Sequence, residues 1–220
     1  KEYILPKPID PRLITTISPA VAKAAMESGV AKIDITDWKA YGEYLIEKLG
    51  VDQKLMSGII QKAKNNPKKV LFAEGEHHKI LKAAQIVRDE GIAIPILLGN
   101  KEHIEAIIRE HSLDLSDCLI IDPLKEEEKV KEYAEIFYQE RQRKGMTLYE
   151  AQKRMRERHY FGSMMVKLGE ADAFISGMNR DFVKAVRPAL QVIGGRANEL
   201  VAGMGIVVSQ GKTLFLSAHR

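Results

Sequence analysis

A single cysteine, Cys118, is the only thiol among the 220 residues, so no disulfide can form within the chain. Tryptophan is equally scarce, with Trp38 alone. No apolar run approaches the roughly 20 residues that cross a bilayer. The run at 92–98 is only long enough for a buried strand. No secretory leader is visible either, and together these absences point to the cytoplasm and away from a membrane. There is no Gly-x-Gly-x-x-Gly after the first strand, no Walker loop and no Gly-x-Ser-x-Gly elbow. These gaps argue against a dinucleotide, a nucleoside triphosphate or a hydrolase nucleophile in this stretch. Lys1 does not look like a natural start, which makes the chain read as a piece of a longer protein.

What is present is an ordinary globular mixture, 45% hydrophobic and 29% charged, with a net charge of +4. The charge is unevenly placed. Between Arg141 and Arg158 seven cations face two carboxylates, and the rest of the chain is close to neutral. The segment carries no zinc, RNP or helix-turn-helix signature, so nucleic acid is not the expected partner. It reads either as a solvated helix face or as a surface for a compact anion.

The first fifty residues are a helical arm. Ser18 and Pro19 have the chemistry of a helix start, Gly29 is a stop, and Asp37 is the cap of a second helix that ends at Gly50. From residue 51 short apolar strands (69–73, 94–98, 118–122, 173–175) alternate with amphipathic helices, the last at 180–193. That rhythm predicts an α/β domain over 51–195, a parallel sheet covered on both faces. Thr147 and Glu150 have the spacing of a capping box for the next helix, and a further helix is expected to reach Leu168. Residues 196–220 read as a hairpin with its turn at Gln210-Gly211, the start of a second subdomain.

Ligands of such sheets gather at the carboxyl ends of the strands. The stretch "ISGMN" places Ser176 and Gly177 there, where a following helix would offer unpaired backbone N–H groups to a phosphate. Arg141 and Lys144 lie one helical turn apart and Arg187 lies on the last helix, all suited to phosphate oxygens. The glycine in "AEGE" either admits a backbone to a ligand or eases a turn. His77 and His78 are adjacent, and neighbours on a helix do not face each other, so no metal site is expected. Met164, Met165 and Leu168 form an apolar patch that reads as either intrachain core or a dimer interface. Cys118 reads as a small core residue, and Asp172 with Asp181 as weak material for acid–base work.

The segments "VLFAEGEHHKILKAAQIVRDEGIAIPILLGN", "RQRKGMTLYEAQ", "YFGSMMVKLGEADAFISG" and "VRPALQ" resemble, in that order, the phosphate acetyl/butyryl transferase family. The head, "YILPKPIDPRLITTISPAVAKAAMESGVA", is similar to the closing stretch of the catalytic domain of bacterial malic enzymes, and the two occur fused in large NADP-type malic enzymes. The resemblance implies a three-layer fold of the isocitrate/isopropylmalate dehydrogenase-like type, and a cleft for CoA and an acyl phosphate. It implies phosphoryl-binding roles for Arg141 and Arg187, and places the catalytic Ser and Asp of active members outside these residues. NADP and a divalent metal would belong to the malic enzyme's catalytic domain, not to this chain.

One departure matters. Where active members are rich in His, Ser and Thr, positions 178–184 read Met, Asn, Arg, Asp, Phe, Val and Lys. A carboxylate such as Asp181 about 4 Å from a phosphate charge costs roughly 4 kcal/mol at an effective dielectric near 20. The expectation is therefore a regulatory, at least dimeric domain that binds acetyl-CoA, or another CoA- or phosphate-bearing molecule, without turnover. The alternative is an active phosphate acetyltransferase.

Overall fold

A computed structural model describes residues 11–48, 51–179, 181–195, 201–209 and 212–219. The expected helix stop at Gly50, the Gln210-Gly211 turn and the helix start at Arg180 lie outside the described residues. The chain divides into two compact units, residues 61–201 and residues 1–60 with 202–220.

The larger unit is built on β1 (Lys68–Phe72), β2 (Ala93–Leu98), β3 (Leu119–Ile121) and β4 (Ala173–Ile175), hydrogen-bonded in the order β3-β2-β1-β4. All three pairings are parallel, with Leu71 opposite both Ile96 and Phe174. Successive side chains of a strand leave opposite faces, and both faces are apolar. Leu71, Ile96, Leu98 and Ile121 pack with α6 (Glu127–Arg141), α7 (Leu148–Met155) and α8 (Arg158–Lys167). Phe72 and Leu97 pack on the other side with α4 (His78–Asp89) and α5 (Lys101–Glu110). The result is the expected α/β domain with helices on both faces of a parallel sheet.

The caps fall where the residue chemistry places them. Asn100 Oδ1 accepts from His103 N at 2.9 Å to start α5. Thr147 and Glu150 close a reciprocal capping box at the start of α7. Gly75 is a packing glycine, since a Cβ there would lie 2.9 Å from the Leu98 carbonyl oxygen. What this glycine admits is a neighbouring strand's backbone, a third role beside the ligand approach and the turn that the sequence suggested.

Four points of the sequence reading are decided or corrected by the structure. The capped helix and the further helix expected to reach Leu168 are α7 and α8, parted at Arg156 and Glu157, with Glu157 in an extended conformation. Met164 is fully buried and Met165 is 2% exposed, so both belong to the intrachain core and only Leu168 of that patch reaches solvent. His77 is not helical; as the extended N-cap of α4 it stacks on His78, with ring centroids 4.9 Å apart. The last helix, α9 (Phe182–Val192), begins five residues after Gly177. Gly177 itself has φ +117°, a conformation that favours glycine, and it ends β4 without starting a helix.

In the smaller unit α1 (Pro11–Glu27) packs on α2 (Trp38–Lys48), and α3 (Val51–Asn65) follows. Helix α1 starts on Pro11, with Ser18 and Pro19 inside it, so the expected start at Ser18-Pro19 is corrected to one seven residues earlier. Asp37 caps α2, its Oδ1 accepting from Lys39 N and Ala40 N at 2.9 Å each. β5 (Ala202–Ser209) and β6 (Lys212–His219) form the antiparallel hairpin.

Candidate functional site

β1 has β2 on one side and β4 on the other, so the carboxyl ends of β1 and β4 border a topological switch point. A cleft of about 460 Å³ opens there. It is lined by the loop after β1 (Glu74, Glu76, His77), by His103, by the α7–α8 break (Arg156, Glu157, Arg158), by His159 and by Asn179. Two carboxylates from "AEGE" organise it.

Glu74 is buried, and its Oε1 accepts from Gly177 N at 3.1 Å and from Ser176 Oγ at 3.4 Å. His159, also buried, places Nε2 2.6 Å from Ser176 Oγ and 4.0 Å from Glu74 Oε1. The assignment that satisfies these contacts turns the serine proton to the carboxylate and lets His159 Nε2–H donate to the oxygen. The carboxylate thus sits on the serine and not behind the imidazole. That arrangement ties three elements together at one corner of the cleft.

Glu76 ties three other elements together. Its Oε1 accepts from Asn100 N at 2.8 Å and from Arg158 Nη2 at 2.5 Å, and His103 Nδ1 lies 4.0 Å from Oε2. Burial alone would raise its pKa. The hydrogen bonds from Arg158 and Asn100, with the nearby charges of Arg158 and His103, outweigh burial and hold it below the ordinary carboxylate range. His77 Nδ1 accepts from Lys79 N at 3.2 Å, which leaves Nε2 as its N–H donor. His78 stacks on His77 and His111, and desolvation followed by the charges of those two neighbours lowers its pKa.

The residues expected at a phosphate site fall into two places. Ser176 and Gly177 stand at the end of β4 and are held by Glu74. Arg187 is exposed on α9 beside the buried Pro188. Arg141 Nη1 reaches the carbonyl of Gln191 at 3.4 Å, one turn beyond Arg187, and Lys144 is exposed in the turn after α6. Arg154 also joins that end of α9, contacting Tyr160 Oη at 2.8 Å and Gln191 Oε1 at 3.1 Å. Cations gather where the carbonyls of α9 lack partners. Asp181 pairs with Lys184 at 3.2 Å. Asp172 accepts from Lys69 N at 2.8 Å and locks the register of β4, so it takes no part in acid–base work with Asp181. Glu74, Glu76 and His159 were not singled out from the sequence as site residues, and Arg158 was counted only in the basic segment 141–158. "AEGE" at a strand end was the one signal for the two carboxylates; His159 had none.

A second cavity, about 590 Å³, lies at the amino ends of β1, β2 and β3 beside Lys129 and Glu170. Cys118 lies at its edge, half-buried, its thiol pKa raised by burial first and by Asp117 next. Among the described residues no group of three His, Cys, Asp or Glu is placed to hold a metal ion. No helix among them is long and apolar enough to cross a membrane.

Comparison with known proteins adds the following. A family model described as "Phosphate acetyl/butaryl transferase" matches residues 54–218. An NADP-dependent malic enzyme of Salmonella typhimurium is 37% identical over 223 residues, covering 99% of this chain and 29% of that protein. One of Rhizobium meliloti is 32% identical, over 98% of this chain and again 29% of the relative. The chain therefore spans under a third of the malic enzymes it matches. A phosphate acetyltransferase of Thermoanaerobacterium thermosaccharolyticum is 45% identical over 139 residues, 63% of this chain and 42% of that enzyme. Among solved structures, a EutD phosphotransacetylase from Staphylococcus aureus superposes with a TM-score of 0.66 at 28% identity, covering 74% of this chain and 49% of that one.

Proposed function

The chain belongs to the phosphate acetyl/butaryl transferase family, and from that premise we propose that it is the transferase-like regulatory region of a malic enzyme. In this reading it binds acetyl-CoA, or another CoA- or phosphate-bearing molecule, and does not turn over acetyl phosphate. The malic enzymes that align along 98–99% of the chain, head included, support the parentage. The observation that carries the loss of turnover is the segment after Gly177. Asp181 and Phe182 stand there, α9 does not begin until Phe182, and the donors of Ser176 and Gly177 are already given to Glu74. An acyl phosphate entering that corner meets carboxylates and an exposed aromatic ring in place of hydroxyls.

CoA makes a different demand. Its diphosphate needs cations and N–H donors on a partly open surface, and Arg187, Arg141 and Lys144 supply cations. Malate oxidation and decarboxylation, with NADP and a divalent metal, belong in this reading to residues outside these 220. The chain holds neither a dinucleotide fingerprint nor a metal-binding group among its described residues. Oligomerisation, at least to a dimer, is part of the proposal.

The test is calorimetry with acetyl-CoA on the protein, alongside an acetyl-phosphate/CoA exchange assay. Binding without exchange is the expected result, and Arg187→Ala should weaken it by about 1.5–3 kcal/mol, as loss of a charged hydrogen bond does. Rapid exchange would instead establish the active transferase. Absence of acetyl-CoA binding would leave an oligomerisation scaffold.

A further inference from the structure

The break between α7 and α8 has no glycine or proline to explain it, and it forfeits part of a helix's hydrogen-bond ladder. Its local effect is specific. Residues two apart on a continuous helix point about 200° away from each other, whereas residues flanking an extended one leave the chain on the same side. Glu157 is extended, with φ −83° and ψ 129°, and both Arg156 and Arg158 line the cleft at the carboxyl ends of β1 and β4. Arg158 uses Nη2 on Glu76, which fixes its guanidinium. Arg156 is exposed, and no hydrogen bond or ion pair within the described residues engages its side chain. His77 adds an Nε2–H donor to the same cleft, since its other ring nitrogen is occupied as the cap of α4.

The opposite is true of the Ser176-Gly177 corner. Its two donors converge on one buried oxygen of Glu74, so the corner already holds an anion, and that anion is part of the chain. A second anion brought there finds its hydrogen bonds taken and a like charge in place.

We propose that the oxyanion position of this cleft is the Arg156–Arg158 wall, and that Glu74 acts as an internal anion that keeps a ligand's charge off Ser176 and Gly177. The ligand group is phosphoryl, the chemistry common to inorganic phosphate, acyl phosphates and the phosphates of CoA. Two guanidinium forks, one immobilised by a carboxylate and one free to close, match its oxygens. The inference rests on reading the cleft as a site for CoA- or phosphate-bearing molecules, but it puts the charge contact on residues other than Arg187 and Arg141.

The experiment titrates inorganic phosphate, acetyl phosphate and CoA separately into the protein and its variants, followed by phosphorus NMR and calorimetry. Arg156 is exposed, so Arg156→Ala leaves the fold intact; it should weaken phosphate binding roughly tenfold or more. Arg156→Glu should abolish it. Glu74→Gln keeps an acceptor for Gly177 N–H while removing the charge, and should strengthen phosphate binding severalfold, with circular dichroism confirming the fold. If acetyl phosphate follows inorganic phosphate in Arg156→Ala and CoA does not, the group is a free phosphoryl; if CoA follows too, its own phosphates use the wall. Wild-type affinity for phosphate in Arg156→Ala, or no phosphate binding by the unmodified protein at millimolar concentration, overturns the inference. Unchanged phosphate binding in Arg156→Ala, with CoA binding lost in Arg187→Ala, would overturn this proposal while sparing the CoA reading. Arg156-dependent phosphate binding with no binding of acetyl-CoA would do the reverse.

Discussion

Position 162 tolerates nothing larger than hydrogen. A Cβ built there would lie 2.5 Å from one ring carbon of Phe174 and 3.0 Å from Leu98 Cδ1, so α8 rests on the sheet through its glycine. Gly162→Ala should cost about 1–3 kcal/mol, the usual penalty for overpacking, measured by urea unfolding. The same ring lies edge-on to His159, at 6.0 Å, so the substitution should also disturb the Ser176 corner. A second residue-scale expectation concerns Glu170, which accepts from Lys129 Nζ at 2.6 Å and from Tyr133 Oη. Burial pushes its pKa up, but the hydrogen bonds from Lys129 and Tyr133 prevail and hold it below the ordinary value. A carboxyl group depressed on folding stabilises fully above its unfolded pKa, and that contribution disappears as pH falls through the folded one. Glu170→Gln should therefore be less stable than the parent at pH 7, and the two should converge in acid. Burial, and next the bond to Glu170, push the Tyr133 phenol well above its usual range, so it remains a donor throughout. Tyr133→Phe should cost about 1–2 kcal/mol at neutral pH by thermal or urea unfolding, as loss of a partner to a charged acceptor does.

Among the elements, α7 is the short one that depends on its cap. It has eight residues, too few to persist on propensity alone, and its capping box closes two otherwise unsatisfied N–H groups. Thr147→Ala should lower stability by about 1 kcal/mol in equilibrium urea unfolding. That box was legible because everything it needs lies within four positions. The same holds for Asp37 before α2 and for the apolar strands, whose run of residues such as Ile96 to Leu98 is written locally. The place of the break, Glu157, was not legible: the contact beside it, Arg158 with Glu76, joins residues 82 positions apart. Nor was the Glu74–Ser176 contact, which joins residues 102 positions apart. Ser176-Gly177 reads as a helix entry from its composition, while the positive φ of Gly177 turns the backbone elsewhere and α9 begins only at Phe182. Core or interface stayed open for Met164 and Met165 because the ring system of α6 and α8 that buries them could not be seen in the sequence.

At the scale of the whole molecule, the last strand in the order β3-β2-β1-β4 presents an edge, with Ile175 49% exposed, and α9 leaves Phe182 70% exposed. Apolar area of this kind commonly marks association. Sedimentation at micromolar concentration should show a species heavier than the 24.7 kDa of one chain, and a single boundary at that mass would refute the expectation. The same strand order has a temporal side. β1 is central, yet its second partner is made late: the clamp between Lys69 and Asp172 spans 103 positions. At about 5–20 residues added per second, β1 waits on the order of 5–20 s during synthesis before β4 emerges to pair with it. Through that interval the nascent chain carries β1 with one side unzipped, and so a template for mispairing with any neighbouring strand. A synonymous change that slows translation between codons 73 and 173 lengthens that window without altering a single residue of the finished protein.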